Sequence, residues 1–327
     1  MNNNPLSTSR IAKLYKTDTR RLQKAYKEKL SGYNDWEQKA HAEDWILYGK
    51  NLGFFLSIDE TSLSNGELYT IVTNKFAKGG SGAIVAIIKG TKSKDIIKRL
   101  NTIALYRRNM VKEITVDMAG SMNLIAKKCF PKATIVTDRF HVQMLASEAV
   151  QEQRIKLRWE AIDLENDAMS KAKMENEKFL PFIFSNGDTR KQLLARSRFL
   201  LFKSPAKWSK LQAMRAEVLF KEYPTIKETY QLSQKLSFIF ENTTDKDVAR
   251  VKLAKWYNDV EASGYKSFNS ISRTIFHHYE NILNYFNNRS TNASAESFNA
   301  KIKDFRRQLR GVRDISFFLF RLCKLYA

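Results

Sequence analysis

Three carboxylates stand at positions that suit the binding of divalent metal ions. Asp59 and Asp117 each follow an apolar run of β-type residues, and Glu296 lies in a polar segment, 290–299, that begins a helical pattern. Divalent ions such as Mg²⁺ take several oxygen ligands, and neighbours on one strand point to opposite faces, so these ligands must come from separate parts of the chain. The pattern therefore predicts a site for two metal ions that carries out phosphoryl transfer.

A single aspartate at the end of a strand is more often a turn or capping residue than a ligand. Asp59 and Asp117 differ from that case because the order of elements places their strands side by side at the centre of the sheet. Ligands gather where parallel strands end. Glu60 should point to the opposite face from Asp59, so we expect a structural role for it.

Glu296, Asn299 and Lys303 are spaced by three and seven residues, which places them on one face of a helix. Phe298 and Ile302 lie on the other side and should be buried, so the polar face is expected to point away from the core. Glu296 can then bind a metal, while Asn299 and Lys303 can hold DNA phosphate. The alternative is an ordinary solvated face.

Asp138 and His141 stand three residues apart where the fifth predicted strand ends. They could orient each other beside the metal ions, or His141 could bind a metal directly. His141 could also be a helix-start residue that is bonded to its neighbour.

The runs that position these residues alternate between β-type and helical patterns. The order is β-β-β-α-β-α-β, and strands that return through a helix pair in parallel. This predicts an α/β fold, namely an RNase H-like mixed five-stranded sheet with flanking helices that is interrupted by a large all-α insertion. The predicted strands are Phe54–Ile58, Leu68–Thr73, Ala83–Ile88, Ile114–Val116 and Ala133–Thr137.

Four parts of the chain follow from this order. They are a basic helical N-terminal segment over 1–50, a first part of the core over 51–145, the all-α insertion over 146–286, and C-terminal catalytic helices over 287–327. The N-terminal segment resembles part of a helix-turn-helix or is a plain helical hairpin. In the insertion, Trp159, Trp208 and Trp256 are expected to anchor the core.

The chain is strongly basic, with 56 Lys and Arg against 34 Asp and Glu in 327 residues and a net charge of +22. Such an excess points to nucleic acid as the partner, although a generally basic surface would give the same count. Lys89 and Lys92 could equally be solvated turn residues. The candidate DNA-binding residues are Arg20, Arg21, Lys24, Lys89, Lys92, Lys301, Lys303, Arg306, Arg307 and Arg310.

The two cysteines, Cys129 and Cys323, lie in apolar helical patterns and are too few for a disulfide framework or a thiolate zinc site. No apolar run approaches the ~18 residues of a membrane span. We therefore expect a cytoplasmic, nucleoid-associated protein.

Four motifs together resemble one family, the DDE transposases of bacterial insertion sequences, of the ISL-three-like type that is related to the Mutator-like class. The motifs are Ser57-Ile-Asp-Glu60, Val116-Asp-Met-Ala-Gly120, Thr137-Asp-Arg-Phe-His141 and Asn292-Ala-Ser-Ala-Glu-Ser-Phe-Asn-Ala-Lys-Ile-Lys303. The resemblance implies that Asp59, Asp117 and Glu296 form the catalytic triad and bind two Mg²⁺ or Mn²⁺ ions. It implies that Asp138 and His141 form the accompanying Asp-x-x-His element.

An alternative alignment takes Asp138 as the second acid. We prefer Asp117 because the predicted fold brings its strand beside that of Asp59.

The resemblance also implies an activity and partners. The activity is cleavage at insertion-sequence ends and strand transfer into target DNA. The partners are double-stranded DNA, namely terminal repeats and target, and further copies of the chain on that DNA. Relatives carry an N-terminal zinc-binding and helix-turn-helix region, whereas only a short basic segment precedes the first strand here, so a separate DNA-binding polypeptide is a further expected partner. A nuclease of the same fold without strand transfer and a non-catalytic DNA-binding derivative remain alternatives.

Overall fold

A computed structural model describes residues 5–64, 66–309 and 311–327. The strands are β1 (Trp45–Leu47), β2 (Phe55–Ser64), β3 (Glu67–Asn74), β4 (Ile84–Lys89), β5 (Glu113–Val116) and β6 (Thr134–Thr137). The helices are α1 (Thr8–Leu14), α2 (Thr19–Ala25), α3 (Ser93–Leu100), α4 (Leu105–Arg108), α5 (Gly120–Cys129), α6 (Arg139–Met174), α7 (Arg190–Arg196), α8 (Lys210–Glu222), α9 (Pro224–Asn242), α10 (Lys246–Ser263), α11 (Lys266–His277), α12 (Tyr279–Leu283), α13 (Tyr285–Asn288), α14 (Ala293–Gln308) and α15 (Ile315–Tyr326).

The chain divides into two compact units. The first runs to Asp138 and resumes at Ser290, and the second comprises Arg139–Arg289. The first unit holds all six strands together with α1–α5, α14 and α15. In the part of the chain that the structure describes, no helix is long and apolar enough to cross a membrane.

The sheet of the first unit has the order β1-β4-β3-β2-β5-β6. Strands β2, β3 and β4 form an antiparallel meander, while β5 pairs parallel with both β2 and β6. The two parallel pairs arise because the chain leaves and re-enters the sheet through helices. The predicted mixed α/β sheet is therefore confirmed.

The predicted number of strands was wrong, because the sheet has six strands rather than five. The extra strand, β1, lies in a segment whose spacing indicates a helix, and it pairs antiparallel with β4 at the edge of the sheet. The amide of Tyr48 donates to the carbonyl of Val85 at 2.7 Å, and the amide of Lys89 donates to the carbonyl of Asp44 at 2.8 Å. These backbone bonds to an otherwise open edge outweigh the weak helical preference of a three-residue run.

Alternation along the strands directs apolar side chains to both faces of the sheet. One face packs on α3 and α5 in a core that includes Leu56, Ile58, Ile96, Val116 and Ile125. The other face packs on α14 and α15 in a core that includes Ile71, Phe298, Ile302, Phe318 and Leu319. Cys129 and Cys323 are buried in these two cores.

Strand β2 is longer than predicted, and this changes the position of Asp59. The strand continues to Ser64 because β3 pairs with it along its whole length, with Asp59 opposite Ile71. Asp59 thus lies within β2 rather than at its end. Asp117, by contrast, follows the last residue of β5 as predicted.

The N-terminal segment forms the two predicted helices. The side chain of Ser7 caps α1, and Asp18 caps α2 by accepting from the amide of Arg21 at 2.7 Å. A π-helical turn, Tyr26–Leu30, follows α2. The ring of Tyr33 then packs edge-on against Phe317 of α15, with 5.1 Å between ring centroids.

The second unit is helical, as expected of the insertion. Trp256 is fully buried, and its indole N–H donates to the carbonyl of Leu232 at 2.9 Å. Trp159 was wrongly predicted as a core anchor, since 60% of it is exposed. Helix α6 has 36 residues, or ~54 Å, and beyond Arg154 only Ala161 of this helix is buried, so Trp159 lies on a part of the helix that extends past the core.

Candidate active site

The register of the parallel strands brings three aspartates to the same level of the sheet. Ser57 pairs with Thr115 across β2 and β5, and Val116 pairs with Thr137 across β5 and β6. Two residues beyond the first pair are Asp59 and Asp117, and one residue beyond the second pair are Asp117 and Asp138. The three aspartates therefore lie side by side, and neighbouring strands are spaced by ~4.8 Å. The amide of Asp138 donates to the carbonyl of Val116 at 2.9 Å, which continues the ladder to this level.

Helix α14 crosses the face of β2 and holds the first of these acids. The amide nitrogen of Asn299 donates to Oδ2 of Asp59 at 2.7 Å, and the backbone amide of Glu60 donates to Oδ1 at 2.8 Å. Both bonds fix the orientation of the carboxylate.

The prediction that Asn299 lies on an outward-facing stripe was wrong, because only 7% of this residue is exposed. Asn299 follows Phe298, which is buried between α14 and the sheet, so it lies at the flank of the apolar face and reaches β2. Its amide is directed to Asp59 rather than to solvent. Lys303 is exposed, as predicted.

Glu296 occupies the first turn of α14 and is exposed, whereas Asp138 is fully buried. Their carboxylate oxygens lie within 4.8 Å of each other. One helical turn before Glu296, both side-chain polar atoms of Asn292 are buried with no hydrogen-bond partner among the described residues. This set of carboxylate and amide oxygens fits a hard divalent cation such as Mg²⁺ or Mn²⁺.

Asp117 takes part in the start of α5, since its Oδ1 accepts from the backbone amide of Ala119 at 2.9 Å. Among the residues that the structure describes, neither Asp117 nor Asp59 belongs to a set of three acidic, histidine or cysteine side chains whose ligand atoms lie within 4.8 Å of one another. The structure thus places Asp59, Asp117 and Asp138 at one level of the sheet, and it places the carboxylate of Glu296 close to that of Asp138. It does not gather the oxygens of Asp59, Asp117 and Glu296 into one set.

His141 lies in the first turn of α6, which belongs to the second unit, and is half-buried there.

Glu60 is an acid at this site to which sequence reasoning assigned only a structural role. Burial raises the pKa of Glu60, and the negative charges of Asp117 and Asp59 raise it further. The charged form of Glu60 is therefore disfavoured beside the two aspartates. Its place next to Asp59 in the sequence was the available signal.

A largely buried lysine, Lys75, lies near Glu113 and Asp138 and was missed in the sequence. Lys75 donates to the hydroxyl of Thr115, and its Nζ is 3.8 Å from Oε1 of Glu113. Thr115 and Glu113 precede Asp117 by two and four residues, so they share its face of β5. Burial lowers the pKa of Lys75, while the charges of Glu113 and Asp138 oppose that shift. Glu113, an acid in a strand whose four residues are all buried, was the signal.

We expect Lys75→Met to destabilise the first unit by about 3 kcal/mol, because it removes the cation that faces the buried Glu113 carboxylate. Native-state hydrogen exchange of the β5 amides should accelerate roughly 100-fold or more, as that free energy requires. Lys78→Met is the control, since Lys78 is exposed. The double variant Lys75→Met with Glu113→Leu should recover most of the lost free energy of unfolding. If the loss in the double variant equalled the sum of the losses in the two single variants, this account would be contradicted.

The candidate DNA-binding residues fall into two groups. The exposed ones for which the structure shows no ion pair within its described residues are Arg20, Arg21 and Lys24 on α2, Lys92 before α3, and Lys303 on α14. The others have protein partners: Lys89 is 3.0 Å from Glu67, Lys301 donates to the carbonyl of Gly79 at 2.8 Å, and Arg307 is 2.5 Å from Asp304. Arg306 is half-exposed, and Arg310 lies outside the described residues.

Comparison with known families gave one match. A family model of ISL3 type, described as a transposase, matches residues 56–322, which include every acid of the site and the whole second unit. Comparisons with curated proteins and with solved structures gave no match. The match extends over far more than half of the chain and confirms the family indicated by the four motifs. The chain belongs to the ISL3 family of transposases.

Proposed function

We propose that this protein is a metal-dependent DDE transposase with an RNase H-like catalytic unit. It cleaves DNA at the ends of an insertion sequence and joins the freed 3′ ends to target DNA. The observation that carries the proposal is the convergence of Asp59, Asp117 and Asp138 at one level of the parallel strands, with Glu296 of α14 within 4.8 Å of Asp138. Acids from four separate parts of the chain are what a divalent-metal site for phosphoryl transfer requires.

In this proposal Asp59, Asp117 and Glu296 hold the ions, with Asp138 and His141 beside them. When bound, two divalent ions make a water or a 3′ hydroxyl more nucleophilic and stabilise the leaving oxygen of the phosphodiester. Asn299 orients the carboxylate of Asp59.

The positive charge of Lys75 offsets part of the negative charge of Glu113 and Asp138. The exposed cations of α2 and α14 contact the phosphates of the element ends and the target.

The direct test uses duplex DNA from the ends of the element that encodes this chain. Incubation with Mg²⁺ or Mn²⁺ should produce cleavage at the element boundary and, with an unlabelled target, joining of a labelled 3′ end. Cleavage without joining would identify the nuclease alternative. Binding without cleavage by the intact acids would identify a non-catalytic derivative.

We further propose that the chain needs help to select its ends. Within the described residues, α2 presents three exposed cations, Arg20, Arg21 and Lys24, whose side chains would contact a groove. A separate polypeptide or further copies of this chain would then supply the remaining contacts.

The chain alone should therefore discriminate its terminal repeat from scrambled duplex by less than about 1000-fold at near-physiological salt, which is below the range of ordinary specific binders. Fluorescence anisotropy with matched duplexes measures the ratio. Discrimination of about 1000-fold or more by the chain alone would show that no partner is required.

A further inference from the structure

The second unit contains a wide groove whose lining includes none of the acids of the site described above. Its volume is about 1350 Å³, and its walls come from α6, α8, α9, α10 and the segment 202–208. Pockets for small molecules hold ~300–1000 Å³, so the groove is larger than one small ligand needs. An extended polymer is a better match for its size.

Aromatic rings line this groove and offer apolar faces to it. Phe202 and Phe238 are 46% and 59% exposed. Trp208 stacks on Tyr230 with 5.8 Å between ring centroids and 29° between planes. The indole N–H of Trp208 donates to the carbonyl of Leu200 at 2.8 Å, and the hydroxyl of Tyr230 donates to the carbonyl of Lys203 at 2.7 Å. The polar ends of this pair are therefore held by the protein, and the rings are fixed before any ligand binds.

The groove is also positively charged. Seven lysine and arginine residues line it, against the two acids Glu241 and Asp259. Asp259 already pairs with Lys235 at 3.0 Å. Lys207, Lys227 and Lys255 are exposed and form no ion pair within the described residues. The charge complements a polyanion rather than an apolar protein segment.

We propose that this groove binds single-stranded DNA. The bases would stack on the exposed rings, and the lysines would contact the phosphates, which is the combination by which proteins hold unpaired strands. Duplex DNA would engage the charges but not the rings, because its bases are covered by their neighbours in the stack. The inference rests on the proposed function, since cleavage at an element end is what would supply unpaired strands to this groove.

The experiment measures affinity for a fluorescein-labelled thymidine oligonucleotide and for a duplex, using the full chain in EDTA. Phe238→Ala and Phe202→Ala should each weaken single-strand binding by about tenfold, since one base stack contributes ~1–3 kcal/mol. Duplex binding should change less than twofold. Phe199→Ala is the matched control, because Phe199 is 66% exposed in the same unit but outside the groove. Thermal melting verifies that each variant folds.

Lys207→Gln and Lys227→Gln provide a second, independent measurement. Each should lower the slope of log affinity against log salt by about 0.7 for the single strand. Lys221→Gln is the control, since Lys221 is exposed on α8 but does not line the groove.

The inference would be overturned by equal losses for Phe199→Ala and Phe238→Ala, or by equal losses for single and double strands. Binding of an acidic amphipathic peptide that Phe238→Ala abolishes, without an effect on single-stranded DNA, would instead identify a protein partner and also overturn it. Binding is measured in EDTA and therefore does not depend on cleavage. A protein that does not cleave DNA can still show single-strand binding by the groove. A protein that cleaves normally can still lack such binding, which would refute the inference. The two proposals thus fail separately.

Discussion

Asp59→Asn, Asp117→Asn and Glu296→Gln are each expected to reduce metal-dependent DNA cleavage by about 1000-fold or more. These replacements keep the size of each side chain and remove the charge that a divalent ion needs, and a loss of ~4 kcal/mol of transition-state stabilisation corresponds to this factor. A gel assay with end-labelled element DNA in Mg²⁺ measures the rate. Addition of EDTA to the wild-type protein should abolish cleavage to the same extent.

Controls separate this result from general damage. Asp304→Asn removes a half-exposed acid from α14, the helix that carries Glu296, and should leave cleavage within a factor of about two, as for most surface changes. DNA affinity in EDTA should stay close to that of the wild type for all three acid variants. Near-normal cleavage by any one of the three would remove that residue from the triad.

The same assay decides which aspartate acts as the second acid. Asp117 lies between Asp59 and Asp138 at their common level, whereas Asp138 is the aspartate within 4.8 Å of Glu296. We expect Asp117→Asn to cause the larger loss, and Asp138→Asn a loss of about 10–100-fold, as for residues that support metal ligands. A dead Asp138→Asn enzyme beside an active Asp117→Asn enzyme would reverse the assignment.

The affinity for duplex DNA should fall by about 1000-fold or more when the salt concentration rises from about 50 to about 200 mM, which corresponds to six to ten phosphate contacts. The net charge of +22 and the exposed cations on α2 and α14 are the physical reason. Anisotropy titrations at four or five salt concentrations give the slope. A nearly salt-independent affinity would show that these charges do not face DNA.

Two neighbouring lysines provide a matched pair for this measurement. Lys92 is exposed and forms no ion pair within the described residues, whereas Lys89 is 3.0 Å from Glu67. Lys92→Gln should lower the salt slope by about 0.9 if it neutralises one phosphate. Lys89→Gln should change the slope less, because the charge of Lys89 is already partly compensated.

Local patterns were sufficient for most of the sheet. The order of strands and helices in the first unit follows from alternating apolar residues, from Asp18 as a cap and from turn residues between strands, all of which act over a few residues. Strand β1 and the exposed position of Trp159 were missed because both depend on contacts between parts of the chain that are distant in the sequence. The first depends on a bond to the open edge of β4, and the second on where the core of the second unit ends.

Residue types and short spacings were sufficient to identify the family, most of the order of elements and the candidate acids. How these acids are held depends instead on contacts between distant parts of the chain. The bond from Asn299 to Asp59 spans 240 residues, and Lys75 reaches Thr115 across 40. Such contacts depend on how α14 and β5 pack on β2, and that packing is a property of the whole core rather than of any local run.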